Sequence, residues 1–409
     1  MASTKTIVYI GDFDFKNENV QSFLVKNNGT VLNQIGYNVF FIGINKTNTS
    51  FRSIDKATFN DCNYLELPNS LNFLGLFRCK KIYKSILKQL DKIRKTNHLT
   101  HVITYQSPTY SIALKKIAIW CKKNNVQYIV NCADIPIFDA QPFPKRLVMK
   151  LNWHKIHKYN KEYADGIIAV SKYIEEFYHK NGRKSIVVPP LFNKLNRKNA
   201  IVRDREEVVT FIYAGTPFIQ ANNGIKPSGM KDRLDKIIDL FITLDESEKN
   251  FKFIIVGINK SEYLTAVPRH KKPLEGNDKI IFVGKQSHDI TLKMVADSDF
   301  SINYRDANNM TLAGFSTKIV ESISIGTPIV MNDVEKIRDY LEEDKEYFVL
   351  NENFAHNLQT IAKLCHLTSK ARLALKQNLL NNTVFDPSNY QESFQSFLSI
   401  GLHKSEIIS

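Results

Sequence analysis

Along this chain, strand-length runs rich in Val, Ile and Phe alternate with segments of helical period, and the alternation begins twice. The first series comprises TIVYIG (6–11), NVFFIG (38–43), HVITY (101–105), VQYIVN (126–131), GIIAVS (166–171) and SIVVPP (185–190). A polar, basic stretch interrupts it, and the second series follows with VVTFIYAG (208–215), FKFIIVG (251–257), KIIFVG (279–284), DFSINY (299–304) and a strand entered by Ile329, Val330 and Met331. Continuous apolar runs of this length fit strands buried on both faces, and helices between them give βαβ order with parallel pairing. Two such series predict an α/β protein of two Rossmann-like domains with parallel sheets. The predicted boundaries are 1–195 for the N-terminal domain, 196–207 for a linker, 208–385 for the C-terminal domain and 386–409 for a terminal amphipathic helix packing back toward the N-terminal domain. A helix is expected from about Met230 to Asp245.

A length of 409 residues suits two cores of ordinary size. The formal charge of +15 is unevenly placed, because residues 1–200 carry 31 Lys or Arg against 13 Asp or Glu and the remainder carries 25 against 28. A basic first half suggests that the first domain meets something anionic. Nucleic acid fits this charge poorly, since no binding motif or interleaved aromatic pattern accompanies it. Cys62, Cys79, Cys121, Cys132 and Cys365 show no metal-ligand spacing, so reduced, mostly buried thiols and a cytoplasmic location are expected. MASTKTIVYIGDF reads as a first strand, and no apolar run reaches the ~20 residues of a membrane span.

The richest chemical signal is AGFSTKIVESISIGTPIV (313–330). Gly314 permits a tight turn, and Ser316 or Thr317 can cap a helix whose first N–H groups would face an anion. Lys318 and Glu321 fall three apart on one helical face, while Gly326 and Pro328 stop the helix before the strand. The glycines ending strands, Gly11, Gly215, Gly257 and Gly284, are either plain βα turns or places where backbone approaches a ligand.

These features together resemble the glycosyltransferases of the GT-B fold, in particular the large retaining family 4 and its bacterial surface- and capsular-polysaccharide members, and the resemblance implies two Rossmann-like domains facing each other across a cleft. The resemblance spans nearly the whole chain and is carried by Arg305, Ala313, Gly314, Phe315, Ser316, Thr317, Lys318 and Glu321, supported by GIIAVSKYIEEFYHKNGRKSIVVPPLF (166–192). It implies that Glu321 accepts hydrogen bonds from the nucleotide's ribose hydroxyls, where the alternative is a surface pair with Lys318. It implies that Lys231 contacts the donor diphosphate, with Arg233 as an alternative and Arg305 as a second cation. Gly215, Thr216, Gly284, Lys285 and Gly314 to Lys318 would complete the donor nucleotide and diphosphate site. The family often places an arginine after the first-strand glycine, where this chain has Thr216, and an acidic sugar-holding residue where it has Ala313. That second departure leaves the donor sugar open.

On the acceptor side the resemblance points to Gly11 and Asp12, and to Asp134 in a loop that contacts acceptor or donor sugar in the family; a capping role for Asp134 is equally open. Asp12-Phe13-Asp14 is a D-x-D triplet read as a polar loop after the first strand, and no metal is expected. His154 and His157 are read as helix-surface residues. The segment 70–95 carries Ile82, Ile86, Leu90 and Ile93 on one face and Lys81, Lys84, Lys88, Lys92 and Lys95 on another, which is either a membrane-surface helix or an ordinary domain helix with a solvated face.

The resulting expectation is a retaining hexosyltransferase without a cofactor. It would use a UDP- or GDP-sugar and a glycan or polyprenyl-pyrophosphate-linked acceptor in surface polysaccharide synthesis, in the cytoplasm or peripherally on the inner membrane face, with an anionic membrane surface as a partner of the basic domain. The alternatives are a nucleotide-sugar 2-epimerase of the same fold and a non-catalytic sugar- or nucleotide-binding partner.

Overall fold

The computed structural model describes residues 4–15, 20–45, 56–59, 62–68, 75–105, 111–135, 143–180, 182–193, 208–221, 224–230, 232–248, 250–334 and 336–399. The chain forms two compact units. Unit 1 comprises Met1–Leu191, Ala313–Phe315 and Asp386–Ser409, and unit 2 comprises Phe192–Leu312 and Ser316–Phe385.

Unit 1 is built from β1 (Lys5–Gly11), α1 (Val20–Gln34), β2 (Asn38–Asn45), β3 (Lys56–Phe59), β4 (Cys62–Pro68), α2 (Gly75–Thr96), β5 (His98–Tyr105), α3 (Ser111–Lys123), β6 (Gln127–Cys132), α4 (Phe143–Tyr163), β7 (Gly166–Ala169), α5 (Lys172–His179) and β8 (Lys184–Val187). Its eight-stranded sheet runs β3-β4-β2-β1-β5-β6-β7-β8 and is parallel except for the β3–β4 pair at one edge. In the central strand β1, successive residues Ile7, Val8 and Tyr9 are all buried, as the unbroken apolar run demands. Tyr9 donates to Asn131 Oδ1 on β6 at 2.8 Å, which satisfies a phenol that the core would otherwise strand.

Unit 2 contains β9 (Val209–Ala214), β10 (Phe218–Ala221), β11 (Gly224–Met230), α6 (Leu234–Ser247), β12 (Phe251–Val256), α7 (Lys260–Ala266), β13 (Ile280–Gly284), α8 (His288–Asp297), β14 (Phe300–Asn303), α9 (Asn309–Ala313), α10 (Thr317–Ser324), β15 (Ile329–Asn332), β16 (Tyr347–Leu350), α11 (Phe354–Cys365) and α12 (Ser369–Asn381). Its six-stranded parallel sheet runs β13-β12-β9-β14-β15-β16, and β10 and β11 form a separate antiparallel hairpin. Phe241 of α6 stacks on Phe253 of β12 with ring centroids 4.2 Å apart, at the centre of the core. From α12, Arg372 pairs with buried Asp299 at 3.1 Å and Lys376 donates to the Ala296 and Ser298 carbonyls, so two buried cations tie α12 to the turn that leads into β14.

The last helix, α13 (Gln391–Ser399), belongs to unit 1. Its Phe397 ring fills the space over Gly166, where a Cβ would lie 2.5 Å from the ring, and Phe394 and Leu398 are fully buried beside it. Burial of such side chains stabilises by about 1.5–3 kcal/mol each.

Each unit has the Rossmann-like βα order, with a largely parallel sheet, expected from its own series. Three local expectations need correction. The helix expected from Met230 begins instead at Leu234, because Gly224–Met230 is strand β11 and Arg233 occupies the N-cap. Pro227 and Gly229 within that stretch are poor helix residues. His157 does not lie on a helix surface but packs among Trp153, Phe177 and Tyr178, with Nδ1 2.8 Å from the Tyr178 hydroxyl. The strand pairs β3–β4 and β10–β11 lie outside the expected series altogether.

Candidate active site

In a doubly wound sheet, the crevice forms where consecutive connections leave in opposite directions, at the carboxyl ends of the strands. In unit 2 that point falls at β9, which has β12 on one side and β14 on the other. Three strand-end glycines crowd there. Gly215 N–H donates to the Val256 carbonyl and Gly257 N–H to the Gly284 carbonyl, each at 2.8 Å. Gly257 has φ +109°, and a Cβ on it would collide with the Gly215 carbonyl oxygen, so this position is closed to other residues. Gly257 therefore serves close backbone packing, whereas Gly284, at φ +78°, has space around it.

Above them lies a buried carboxylate, Asp232. It accepts from the Tyr213 hydroxyl at 2.7 Å and from Arg305 Nε at 2.9 Å, and it forms an ion pair with Lys318 Nζ. Lys318 lies across Gly215, where a Cβ would collide with its ammonium group, and 4.6 Å from the Tyr213 ring centroid. Burial pushes the Asp232 pKa upward, but the Lys318 and Arg305 cations and the hydrogen bonds from Lys318 and Tyr213 more than offset this and hold it below the usual carboxylate range. Burial and the Asp232 charge push the Tyr213 phenol well above its ordinary value, which keeps it a donor.

Hydrogen bonds to the backbone hold Arg305 and the segment that carries Asp232. Asn332 at the end of β15 accepts from the Arg305 N–H at 2.9 Å and donates to the Arg305 carbonyl at 2.6 Å. Arg233 N–H donates to the Tyr304 carbonyl at 2.7 Å, which anchors the segment carrying Asp232 to the end of β14. The Arg233 side chain itself is engaged elsewhere, with Asp235 at 2.9 Å and Asp306 at 2.6 Å.

α10 supplies the second part of the site. Ser316 is its N-cap by backbone conformation, yet its side chain makes no capping hydrogen bond. The helix ends at Ile325 with Gly326 at φ +86°, where a Cβ would meet Leu380, and Thr327 N–H closes the turn on the Ser322 carbonyl at 2.9 Å. Glu321 is about one-fifth exposed and pairs with His288 Nε2 of α8 at 3.0 Å. Lys318 and Glu321 are thus not partners of each other: one faces Asp232, the other His288.

Among the other expected site residues, Thr216 and Lys285 are exposed near Gly215 and Gly284, and Thr317 opens α10 half-buried. Lys231 lies outside the described residues. Gly314 and Phe315 belong to unit 1, as does Ala313, which is fully buried. Within unit 1, β1 is the switch strand, between β2 and β5. At its end a Cβ on Gly11 would stand 2.5 Å from the Tyr105 Cβ, so close strand packing requires that glycine. Burial chiefly, and the charges of Asp134 and Asp12 in part, raise the Tyr105 phenol well above its ordinary value, which places Asp12, Tyr105 and Asp134 in one electrostatic neighbourhood at the strand ends. Asp14 is turned into the start of α1, exchanging backbone hydrogen bonds with Ser22 Oγ at 2.9 and 2.6 Å. Among the described residues, no group of three His, Cys, Asp or Glu side chains is placed to hold a metal ion.

Sequence reasoning missed Asp232, Tyr213, Asn332 and His288. Asp232 sits between Lys231 and Arg233 and looks like one more charge at a solvated helix start; its meaning depends on Arg305 and Lys318, 73 and 86 residues away. Asn332 directly follows the apolar PIVM run, and a polar residue ending a buried strand is the signal that marks it.

Residues 230–379 match the model of the family described as glycosyl transferases group 1. No curated protein matches the chain in sequence. Among solved structures, the chain resembles the catalytic domain of starch synthase IV from Arabidopsis thaliana, bound to ADP and acarbose, with a TM-score of 0.67 at 10% identity over 98% of this chain and 100% of that one. It also resembles sucrose-phosphate synthase from Thermosynechococcus elongatus, with a TM-score of 0.64 at 12% identity over 98% and 99%. Anabaena HepE in complex with UDP and glucose gives a TM-score of 0.61 at 13% identity over 96% and 99%. These likenesses establish the GT-B fold along nearly the whole chain.

Proposed function

From a chain that carries a glycosyltransferase domain, we propose a retaining enzyme that moves a hexose-type sugar from a UDP- or GDP-sugar to a glycan or polyprenyl-pyrophosphate-linked acceptor, as in surface polysaccharide synthesis. The observation that carries this reading is the pair of cations, Arg305 and Lys318, held by one buried carboxylate at the switch point of unit 2.

Departure of a nucleoside diphosphate builds negative charge on the leaving oxygens. Cations fixed in advance stabilise that charge without reorganising during the reaction. Arg305 and Lys318, both held by Asp232, would act in this way, and the first N–H groups of α10 would add donors of the same polarity. Glu321 would accept from the ribose hydroxyls; its Oε1 already faces His288, so ribose would share the carboxylate with the imidazole or displace it. Unit 1 would take the acceptor, with Asp12 and Asp134 as candidate contacts to its hydroxyls. The structures of HepE with UDP and of starch synthase IV with ADP support a nucleotide in this fold.

A thermal-shift panel of UDP, GDP, ADP and CDP tests the donor site. A nucleotide at 100 times its dissociation constant should stabilise by about 2.7 kcal/mol. A flat response to all four would overturn the reading. Product analysis with UDP- and GDP-sugars, with and without a lipid-linked acceptor, separates transfer from epimerisation.

A further inference from the structure

Among the described residues of unit 1, the exposed large apolar side chains gather on the first half of α4, on a different element from any candidate site residue. Phe143, Leu147, Val148 and Leu151 are 69%, 49%, 65% and 55% exposed, and Ile112 at the start of α3 is 46% exposed. Spacings of four, five and eight residues from Phe143 put the α4 set on one face. The opposite face is the inward one, since it carries Ile156 and Asn160, both fully buried. The apolar arc therefore faces water, which a stable helix of a soluble domain does not require.

Charge indicates what would cover it. From Phe143 to Lys161 the chain has six Lys or Arg residues and no Asp or Glu. His154, Lys155 and Lys158 are exposed and continue the outer face beyond the apolar arc. Lys150 is exposed on its flank, and the Arg146 guanidinium lies 5.6 Å from the Phe143 ring centroid. A protein partner would need a pocket for four protruding apolar groups and acidic groups around it. An anionic bilayer meets both demands with no complementary shape, because acyl chains accept the protrusion and phosphates meet the cations. The helix more suggestive in sequence, α2, turns Ile86, Leu90 and Ile93 into the core, while Ile82 lies outside the described side chains.

We propose that this face of α4 docks on an anionic lipid bilayer, with Phe143, Leu147, Val148 and Leu151 entering the acyl boundary and Arg146, Lys150, Lys155 and Lys158 at the headgroups. The docking is independent of the donor-site reading, and its test reads binding, not catalysis. The full-length protein is sedimented with vesicles of phosphatidylcholine alone and of phosphatidylcholine mixed with phosphatidylglycerol, at about 0.1 M and about 1 M salt. Binding is expected to the phosphatidylglycerol vesicles, weakening at high salt. The double variant Leu147→Ser/Leu151→Ser should lower the partition coefficient about tenfold or more. Lys155→Glu/Lys158→Glu should do likewise at low salt only, and Phe354→Ser, an exposed apolar site in unit 2, should change nothing. Unchanged circular dichroism melting establishes that the variants fold. Failure of the wild type to bind anionic vesicles, or equal binding by the Leu147→Ser/Leu151→Ser variant, overturns the proposal. So does a wild-type dimer that those substitutions dissociate, since the face would then be an interface between copies.

Discussion

Asp232 and Lys318, 86 residues apart in sequence, form an ion pair at the strand ends of unit 2 in which the carboxylate is buried, and Arg305 closes on the same carboxylate from the segment that follows β14. The pair explains why Gly215 has no side chain: the lysine must cross its α-carbon to reach Asp232. One carboxylate thus holds two cations side by side at the strand ends, an arrangement suited to meeting an anion.

Removing the carboxylate should therefore be costly. Asp232→Ala removes the buried carboxylate that pairs with the almost wholly buried Arg305, and loss of one partner from such a pair costs about 3–5 kcal/mol. Urea unfolding is expected to show a loss of that order, while Lys318→Ala, at a site one-quarter exposed, should lose less. Because the folded-state pKa of Asp232 is depressed, its contribution is complete above the ordinary carboxylate value and disappears only as pH falls through the lower folded value. Equal stability of Asp232→Ala and wild type at neutral pH would contradict the network.

Glu321 should behave differently, since it is partly exposed and its partner is an exposed histidine. Glu321→Gln is expected to leave thermal stability nearly unchanged while weakening nucleotide binding by roughly 10- to 100-fold, the range of a hydrogen bond to a charged group. Titration calorimetry with the nucleotide that stabilises the wild type checks this. A His288→Ala variant should retain binding, because it frees the same carboxylate. Undiminished affinity in Glu321→Gln would remove the ribose role from this residue.

The two βα series were legible because continuous Val/Ile runs have only one economical burial, inside parallel sheets. The α10 unit was legible for the same local reason, as a glycine, a cap and a Gly-Thr-Pro stop are all short-range devices. What local pattern does not carry is pairing at a distance. Lys318 and Glu321 share a helical face, yet each answers to a residue on another element, Asp232 and His288. The β10–β11 hairpin was also hidden, since Gly224–Met230 lacks the alternation that marks a strand.

Gly257 offers a test of the strand-end packing that does not depend on any ligand. With φ at +109° and the Gly215 carbonyl in the way, Gly257→Ala must shift the β9 end on which Lys318 rests. A loss of more than about 1 kcal/mol in unfolding free energy is expected. Gly36→Ala, also at positive φ but with open space around it, should lose only the conformational part. A Gly257→Ala variant no less stable than Gly36→Ala would argue against the close approach.

Two unit 1 histidines set an acid limit on stability. Burial lowers the pKa of His157 to about 4, with the nearby Lys161 and His154 charges adding to the effect, and burial likewise lowers that of His101 to about 4. Unfolded histidine titrates near 6.5. Between these values the unfolded chain binds more protons than the folded one, so stability must fall as pH drops from about 6.5 toward about 4. Above about 6.5 both states hold neutral imidazoles and this contribution is flat. His157→Gln keeps a polar group beside Tyr178 without a titrating proton, so denaturation midpoints measured across this window should fall less steeply for the variant than for the wild type. Parallel pH profiles would mean that His157 is already protonated in the folded state, or that other groups dominate the acid loss.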